Sequence, residues 1–435
     1  MRTERLLHAF INSKVVGVLK DDNGTWSFKY KESWIEQYFP LSPALPLQAE
    51  CIVDGSSKRS VQHFFDNLLP EEAARQLMAQ DAKIDVSDRF ALLEYYGAES
   101  AGAITLLTQA TPPVKQDEFV DLSYEGLSER IRKLPSASLA QEAPKRMSLA
   151  GAQHKLPVCF NPDTYQLSEP KGDTASSFIL KPNHSDSNNY PHTVINEWFA
   201  MTLAKRVGLD VPDTFYFKVP EPVYLIERFD RQKTSATTLR NHVIDGCQLL
   251  QITPEQKYQQ CTLENLRELS EKCNQKAASR RSIFEWIVFN FLIGNDDAHL
   301  KNISFNTDKA GFSLTPFYDL LSTSCYGANQ GNWMGAEMVT PLNGVKKYSD
   351  VSLDTLLKIS NELKYGSAVN SKKKILQMAQ VVSEEADNIY CELEGDNENK
   401  PAHLKLNTGE FQQLRTIIHG HIKEACSAIS EHQRG

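Results

Sequence analysis

The sequence predicts an α+β protein with two lobes, a β-rich first half followed by a mostly helical second half. Short apolar runs of the strand type dominate up to about residue 245, and helical periodicity dominates after it. The 435 residues suffice for two or three domains with separate cores. We therefore expect two lobes with a cleft between them.

The first elements are a β-hairpin and a group of helices. Residues 15–30 alternate between apolar and polar positions around Asn23-Gly24, a strong signal for a hairpin turn. Helical periodicity follows at 61–69 and 71–80. Ser87 is the expected N-cap of the next helix, because its hydroxyl can accept a backbone N–H at a helix start.

The central segment is strand-rich and contains one helix. Phe178–Leu180 and Val223–Ile226 are short apolar runs of the kind found in buried strands. Between them we expect a helix over 194–207. Thr193 is its expected N-cap, and Gly208 is expected to end it.

The second half is helical and contains one short hairpin. Nine of the twelve residues 282–293 are apolar and point in all directions around a helix, which indicates a helix buried on nearly every side. Helical periodicity predicts further helices at 350–364, 371–392 and 409–430. Two antiparallel strands are expected at 303–306 and 312–315.

Composition excludes several classes of protein. The formal net charge of −8 argues against a dedicated nucleic-acid coat protein, although a local basic patch is compatible with it. Eight scattered cysteines without a C-x-x-C pair are typical of reduced thiols in a cytoplasmic protein. We expect no membrane span and no exported leader. His419 and His421 lack further ligands nearby, so a solvent-facing turn is the expectation for them.

The loop that follows the buried helix is the strongest candidate for chemistry. It covers 294–302 and is polar almost throughout. Because the next two strands return the chain, we expect Asp319 to lie near Asn302 and Asp297. Carboxylate and amide oxygens suit Mg²⁺, and phosphoryl transfer also needs a carboxylate that orients the attacking hydroxyl. The alternative is that these side chains only cap turns and helices.

Two further features are suited to phosphate. Lys181 ends a predicted buried strand, where it can act as a point charge on phosphate oxygens, and Glu197 on the next helix can hold it. The alternative is an ordinary lysine at a strand end whose amine reaches solvent. Residues 148–155 are small enough for backbone N–H groups to approach a phosphate, or they form a tight turn between strands.

Six short motifs of the chain occur together in one known family. They are S-x-A-G-A-Q at 148–153, E-R-F-D-R at 227–231, D-x-H-x-K-N at 297–302, Y-D at 318–319, and the segments 64–70 and 97–105. In this combination the sequence resembles the HipA family, the serine/threonine-kinase toxins of bacterial type II toxin–antitoxin modules. The resemblance extends to about residue 425.

The resemblance implies a two-lobed protein-kinase-like fold with an added amino-terminal subdomain. The subdomain would cover residues 1–110. A kinase N-lobe, which contains the nucleotide-covering loop, would cover residues 111–245, and a helical C-lobe, which contains the catalytic loop, would cover residues 246–435. One segment departs from the family. Relatives often read His-Gln-Glu-Asp where His242–Asp245 stands here, which leaves the substrate-side contacts of that segment open.

The resemblance also implies roles for individual residues. Asp297 would be the catalytic aspartate, Asn302 and Asp319 would hold Mg²⁺, and Ser148 would be the autophosphorylation site. Glu197 would give structural support. The residues implied to bind ATP are Lys181, Glu227, Phe229, Gln248, Ala150, Gly151, Ala152, Gln153, His299, Lys301 and Tyr318.

The implied activity is that of an ATP- and Mg²⁺-dependent serine/threonine protein kinase. Its implied protein substrate is glutamyl-tRNA synthetase, whose phosphorylation halts translation and promotes persistence and multidrug tolerance. The implied partners are a HipB-type helix-turn-helix antitoxin and, mainly through it, operator DNA. Two alternatives stay open: a kinase-like co-repressor without catalysis, and a small-molecule or lipid kinase. The presence of all four residues implied to act in catalysis, metal binding or phosphate binding favours the protein kinase. These residues are Lys181, Asp297, Asn302 and Asp319.

Overall fold

Two compact units that alternate along the sequence make up the chain. In this computed structural model the described residues are 4–112, 118–147, 149, 151, 153–234, 237–327, 335 and 337–431, with the backbone alone for Pro341 and Glu431. The first unit consists of Met1–Lys181, Leu225–Glu255 and Ser304–Thr315. The second consists of Pro182–Tyr224, Gln256–Ile303 and Pro316–Gly435.

The first unit begins with an antiparallel sheet in the order β4-β3-β2-β1-β5. The predicted hairpin is confirmed, because Asp22 pairs with Thr25 across a turn in which Asn23 and Gly24 have positive φ. The strands of this sheet are β1 (Arg5–Ile11), β2 (Lys14–Asp22), β3 (Thr25–Tyr30), β4 (Ile52–Val53) and β5 (Ile104–Leu107).

Five helices of the first unit include those predicted at 61–69 and 71–80. They are α1 (Glu32–Gln37), α2 (Ser60–Asp66), α3 (Glu72–Ala82), α4 (Arg89–Tyr96) and α5 (Tyr124–Arg132). The expected N-cap Ser87 is wrong. Asp88 caps α4 by accepting the Ala91 N–H at 3.1 Å, and the Ser87 hydroxyl donates instead to Asp85 at 2.7 Å. Ser87 and Asp88 are adjacent residues with equal ability to cap, so the pattern could not separate them.

A second sheet has the strand order β6-β8-β7-β9-β11-β10. Its strands are β6 (Glu118–Asp121), β7 (Leu156–Asn161), β8 (Gln166–Lys171), β9 (Phe178–Pro182), β10 (Thr214–Lys218) and β11 (Pro222–Glu227). The two apolar runs predicted as buried strands are β9 and β11, which confirms both. β10 and the first half of β11 belong to the second unit.

The first unit also contains strands from distant parts of the chain. β12 (Arg231–Lys233) pairs with β13 (Thr238–Arg240), and β14 (Val243–Asp245) pairs with β15 (Ser304–Asp308). β15 pairs in turn with β16 (Gly311–Leu314), which confirms the predicted hairpin. The other partner of β15 is β14, some sixty residues earlier in the chain. Local periodicity does not reveal such a long-range pairing.

The second unit is mainly helical. The predicted helices at 350–364, 371–392 and 409–430 are confirmed, the last with a π-helical stretch at Thr416–Ile422. A small hairpin of β17 (Glu337–Leu342) and β18 (Val345–Lys347) accompanies them. The short helix α7 (Gly246–Leu250) belongs to the first unit. The α-helices of the second unit are α6 (Thr193–Arg206), α8 (Leu263–Lys272), α9 (Lys276–Ile293), α10 (Ser324–Gly327), α11 (Leu353–Glu362), α12 (Ala368–Asp396), α13 (Thr408–Arg415) and α14 (Lys423–Glu431).

The ends of α6 differ in part from expectation. His192, with a left-handed φ of 54°, occupies the N-cap position, so the expected cap Thr193 is wrong. Thr193 is the first helical residue, and its buried hydroxyl accepts the His184 N–H at 2.8 Å. Gly208 has φ +87° just after the helix, which confirms the predicted stop.

Helix α9 forms the core of the second unit, as its composition predicts. Its residues from Ile283 to Ile293 are buried except Glu285. The expected solvent-facing turn is wrong for His421, which is 1% exposed. Its ring lies between the Ser324 hydroxyl at 3.1 Å and the Phe291 carbonyl at 3.0 Å. Within the described residues, no helix is both long and apolar enough to cross a membrane.

Candidate active site

The polar loop 294–302 is fixed to the end of α9. Gly294 ends the helix with φ +69°, a conformation that glycine adopts without strain. The next residue, Asn295, donates its backbone N–H to the Asn290 carbonyl at 2.9 Å and its side-chain amide to Asn290 Oδ1 at 2.7 Å. A buried helix therefore holds the start of the loop rigidly.

Asp297 is held in place while its carboxylate stays accessible. Its backbone N–H donates to Asn295 Oδ1 at 3.0 Å, and its Oδ1 accepts the Tyr258 hydroxyl. His299 Nε2 lies 3.7 Å from the same oxygen. The side chain is nevertheless 39% exposed. A positioned, accessible carboxylate is what a group that receives a substrate proton requires.

The neighbouring Asp296 has a structural environment instead. Its Oδ1 accepts the Tyr348 hydroxyl at 2.8 Å and the Val339 N–H at 3.4 Å, and its own N–H donates to Thr323 Oγ1 at 2.6 Å. Burial raises the pKa of the Asp296 carboxyl, although the bond from Tyr348 opposes the shift. Asp296 thus anchors the loop, whereas the Asp297 carboxylate stays accessible.

The segment after the hairpin returns to this loop, as the sequence predicts. The Tyr318 hydroxyl donates to the Lys301 carbonyl at 2.8 Å. Asp319 follows with φ +59°, an uncommon backbone conformation for a residue other than glycine, of the kind that clusters at functional sites. The pKa of Tyr224 is raised by burial and further by the charges of Glu197 and Asp319, so both acids lie near that hydroxyl.

The donor set near the loop fits a divalent cation bound mainly through a substrate. The Asn302 side chain donates an Nδ2 hydrogen to the Asp297 backbone carbonyl at 2.7 Å. Asn302 Oδ1 therefore points away from that carbonyl. Among the described residues, no group of three or more His, Cys, Asp or Glu is arranged to hold a metal ion. One amide and one carboxylate, Asn302 and Asp319, match an ion such as Mg²⁺ that keeps water and phosphate ligands.

Other predicted site residues lie in the first unit. Lys181 on β9 is only 6% exposed, so it is not an ordinary surface lysine. Glu227 ends β11 and is half-buried, as is Phe229. Gln248 belongs to a capping box: its amide donates to the Phe64 carbonyl at 3.0 Å and its oxygen accepts the Asp245 N–H at 3.0 Å.

The predicted nucleotide-covering loop is described only in part. Gly151 has φ +110°, and its carbonyl accepts the Glu71 N–H at 3.1 Å. Gln153 is half-buried. Ser148, Ala150 and Ala152 lie outside the described residues.

Sequence reasoning missed the residues that support Asp297. Tyr258 lies between α7 and α8, where no periodicity or motif marks it. Asn295 lies within the predicted loop, and its position directly after a helix-ending glycine was a usable signal, since asparagine often stabilises turns through its side chain.

Comparison with known proteins decides the family. The model of the HipA-like C-terminal domain matches residues 147–389, and that of the HipA N-terminal domain matches residues 7–107. The chain belongs to the HipA family. A Sinorhizobium fredii protein named as a kinase, Y4mE, is 34% identical over 74% of this chain and 79% of that protein. The serine/threonine-protein kinase toxin HipA of Shewanella oneidensis is 29% identical over 74% of this chain and 76% of that protein.

The fold agrees with the same family. A solved complex of the Shewanella oneidensis HipA with HipB and operator DNA contains a chain that matches with a TM-score of 0.80. The match covers 98% of this chain and 97% of that one at 23% identity. The predicted α+β kinase-like fold is confirmed, and the HipA relatives confirm the kinase class, which uses ATP. The division at 110 and 245 and the roles of the site residues stay predictions.

Proposed function

We propose that this HipA-family chain is an Mg²⁺-dependent serine/threonine protein kinase that acts as the toxin of a HipBA-type module. The observation that carries the proposal is the environment of Asp297. Its carboxylate is accessible but positioned by Tyr258, and its carbonyl orients the amide of Asn302. A co-repressor without catalysis has no chemical need for this arrangement.

In the proposed reaction, Asp297 orients a serine or threonine hydroxyl of the substrate and accepts its proton. The hydroxyl oxygen forms the new bond to the γ-phosphorus of ATP, and the bond from that phosphorus to the β–γ bridging oxygen breaks, which releases ADP. The accessible side of the Asp297 carboxylate leaves room for the hydroxyl. Asn302 and Asp319 are the proposed Mg²⁺ ligands, and the ion would neutralise phosphate charge.

The proposed ATP contacts follow the family motifs. Lys181 is the proposed partner of phosphate oxygens, because a buried lysine at a strand end is a compact positive charge. Glu227 and Phe229 are proposed to meet the adenine through their backbone groups. Gln248, Gly151, Gln153, His299, Lys301 and Tyr318 complete the described part of the proposed site, with Glu197 as structural support.

Ser148 is the proposed autophosphorylation site. A phosphoserine adds nearly two negative charges and bulk. In a loop that covers ATP phosphates, this charge would exclude the nucleotide, so modification would switch the kinase off. The proposed partners are a HipB-type antitoxin and operator DNA, the two molecules bound in the Shewanella oneidensis complex. Glutamyl-tRNA synthetase is the proposed substrate.

The substrate proposal is tested by incubating the purified chain with Mg-ATP and purified glutamyl-tRNA synthetase. We expect one phosphate on a serine or threonine of the synthetase, located by mass spectrometry, and loss of its aminoacylation activity. Ser148→Ala should retain this activity and lose only its own phosphate. If the chain phosphorylates itself but never the synthetase, the substrate proposal is wrong and the kinase proposal stands.

A further inference from the structure

The amino-terminal domain, residues 7–107, contacts three segments that the proposed function places at the nucleotide. All of these contacts lie within the first unit. We infer that this domain positions the nucleotide-binding segments of the kinase, and that Glu99 is the positioning residue on which their geometry depends most. The inference rests on the proposed nucleotide site.

Glu99 is the centre of a buried cluster of charges. It is 1% exposed and lies just after α4. Four cations surround its carboxylate: Lys145 at 2.8 Å, Arg228 at 3.2 Å, Arg231 at 3.1 Å and Arg240 at 3.8 Å. Burial alone would raise the pKa of Glu99, but the charges of Lys145, Arg231 and Arg228 hold it well below its usual range. The carboxylate is therefore ionised in the folded protein.

Arg228 lies between the two proposed adenine contacts, so the cluster fixes the segment 227–229. Its guanidinium also binds the Asp230 carboxylate at 2.9 and 2.7 Å and the Ser100 carbonyl at 3.0 Å. Asp230 accepts the Gly102 N–H at 2.7 Å. Side chains on both sides of Phe229 are thus tied to residues 99–102 of the amino-terminal domain.

Two further contacts of the same domain reach the remaining segments. The Phe64 carbonyl accepts the Gln248 amide at 3.0 Å. The Glu71 N–H donates to the Gly151 carbonyl at 3.1 Å, and Pro70 forms a parallel bridge with Gly151. The contacts of Phe64 and Glu71 are each a single hydrogen bond between uncharged groups. The Glu99 cluster is different, because removal of its carboxylate would leave four buried cations with reduced compensation.

A pair of glutamate variants tests the inference. Glu99→Gln keeps the shape of the side chain and removes its charge. The matched control is Glu169→Gln, since Glu169 is 2% exposed and binds Arg130 with two bonds of 2.7 and 2.9 Å between β8 and α5. Both variants lose a buried ion pair, so both should melt at a lower temperature. A merely structural role therefore predicts the same effect on nucleotide binding for each.

The measurement is the Kd for Mg-ATP by calorimetry, at a temperature where circular dichroism shows each protein fully folded. We expect Glu99→Gln to raise this Kd about tenfold, a change of about 1.4 kcal/mol, and Glu169→Gln to change it less than about twofold. Glu99→Asp, which retains the charge, should show an intermediate Kd. An unchanged Kd in Glu99→Gln, or an equal rise in both variants, would overturn the inference.

A milder variant covers the case in which Glu99→Gln does not fold. The Ser176 hydroxyl donates to Glu99 at 2.5 Å and accepts from Arg228 at 3.0 Å, so Ser176→Ala loosens the cluster without removing a charge. We expect it to raise the Kd about threefold, and an unchanged value would overturn the inference. If the wild-type chain itself does not bind Mg-ATP, the proposed function fails first. If it binds normally and the variants do too, only the positioning role of Glu99 fails.

Discussion

At the scale of single residues, Asp296 and Asp297 show how two neighbouring carboxylates can have different environments. Asp296 accepts the Tyr348 hydroxyl and a backbone N–H, and burial raises its pKa. Asp297 keeps 39% of its side chain exposed and accepts the Tyr258 hydroxyl. The proposed function assigns the catalytic role to Asp297, and the accessibility of its carboxylate supports that proposal.

Tyr258 is expected to position Asp297 for catalysis. Tyr258→Phe removes the hydroxyl that Asp297 Oδ1 accepts, so the carboxylate should be held less well. We expect kcat for phosphoryl transfer to fall about tenfold with the KM for ATP unchanged, since a positioning contact acts on the chemical step. Steady-state kinetics measure both values. Tyr190→Phe, at a tyrosine that is 43% exposed, is the control. A kcat within twofold of wild type would contradict this role for Tyr258.

Much of the candidate loop could be predicted from residue types alone, but its supports could not. Asp297, Asn302 and Asp319 stand out because carboxylates and an amide follow the mostly apolar segment 282–293 and a short hairpin. Tyr258 contacts Asp297 from 39 residues earlier in the chain. A single sequence does not predict this contact, because it depends on how distant segments pack and not on a local pattern.

At the scale of elements, strongly patterned segments were predictable and ambiguous ends were not. α9 and the hairpin β15–β16 follow from apolar composition and turn residues. The caps expected at Ser87 and Thr193 were wrong, since an adjacent residue occupies the cap position in each case. The pairing of β14 with β15 was out of reach because it is long-range.

Gly294 ends α9 where the candidate loop 294–302 begins. A Cβ atom there would lie 2.2 Å from Ser324 Oγ and 2.8 Å from the His421 ring, and φ is +69°. Gly294→Ala should therefore lower the free energy of unfolding by about 3 kcal/mol, from left-handed strain plus the clash. Urea unfolding followed by circular dichroism measures this loss.

Gly208→Ala is the matched control for Gly294. Gly208 also follows a helix with positive φ, +87°, but nothing lies within 4 Å of its virtual Cβ. We expect a loss of about 1 kcal/mol there, from backbone strain alone. Equal losses at Gly294 and Gly208 would show that the close approach of Ser324 and His421 has no energetic effect.

At the scale of the whole molecule, two buried histidines predict how stability depends on pH. Burial lowers the pKa of His242 in the first unit and of His421 in the second, each from 6.5 to about 4. Well above pH 6.5 both rings are neutral in the folded and unfolded chain. Between pH 6.5 and 4 the unfolded chain binds protons that the folded chain excludes. Stability therefore falls as pH falls, by up to about 1.4 kcal/mol per pH unit for each ring.

His421→Gln isolates one of these contributions. The apparent unfolding temperature of wild type should decrease from pH 6.5 to 4.5. That of His421→Gln should decrease less steeply, since one of these two buried rings is gone. His419→Gln, at an exposed residue two positions earlier, should follow the wild-type curve. Parallel curves for wild type and His421→Gln would show that burial of this ring is not linked to acid instability.

The proposed catalytic role of Asp297 is tested by the intact mass of the purified chain before and after incubation with Mg-ATP. Three proteins are compared: wild type, Asp297→Asn, and the control Asp396→Asn, which removes one carboxylate at the exposed end of α12. For protein that starts unphosphorylated, we expect wild type and Asp396→Asn to gain one phosphate on Ser148 and Asp297→Asn to gain none. No gain in wild type, or an equal gain in Asp297→Asn, would contradict the account of Asp297 as the catalytic residue of a self-phosphorylating kinase.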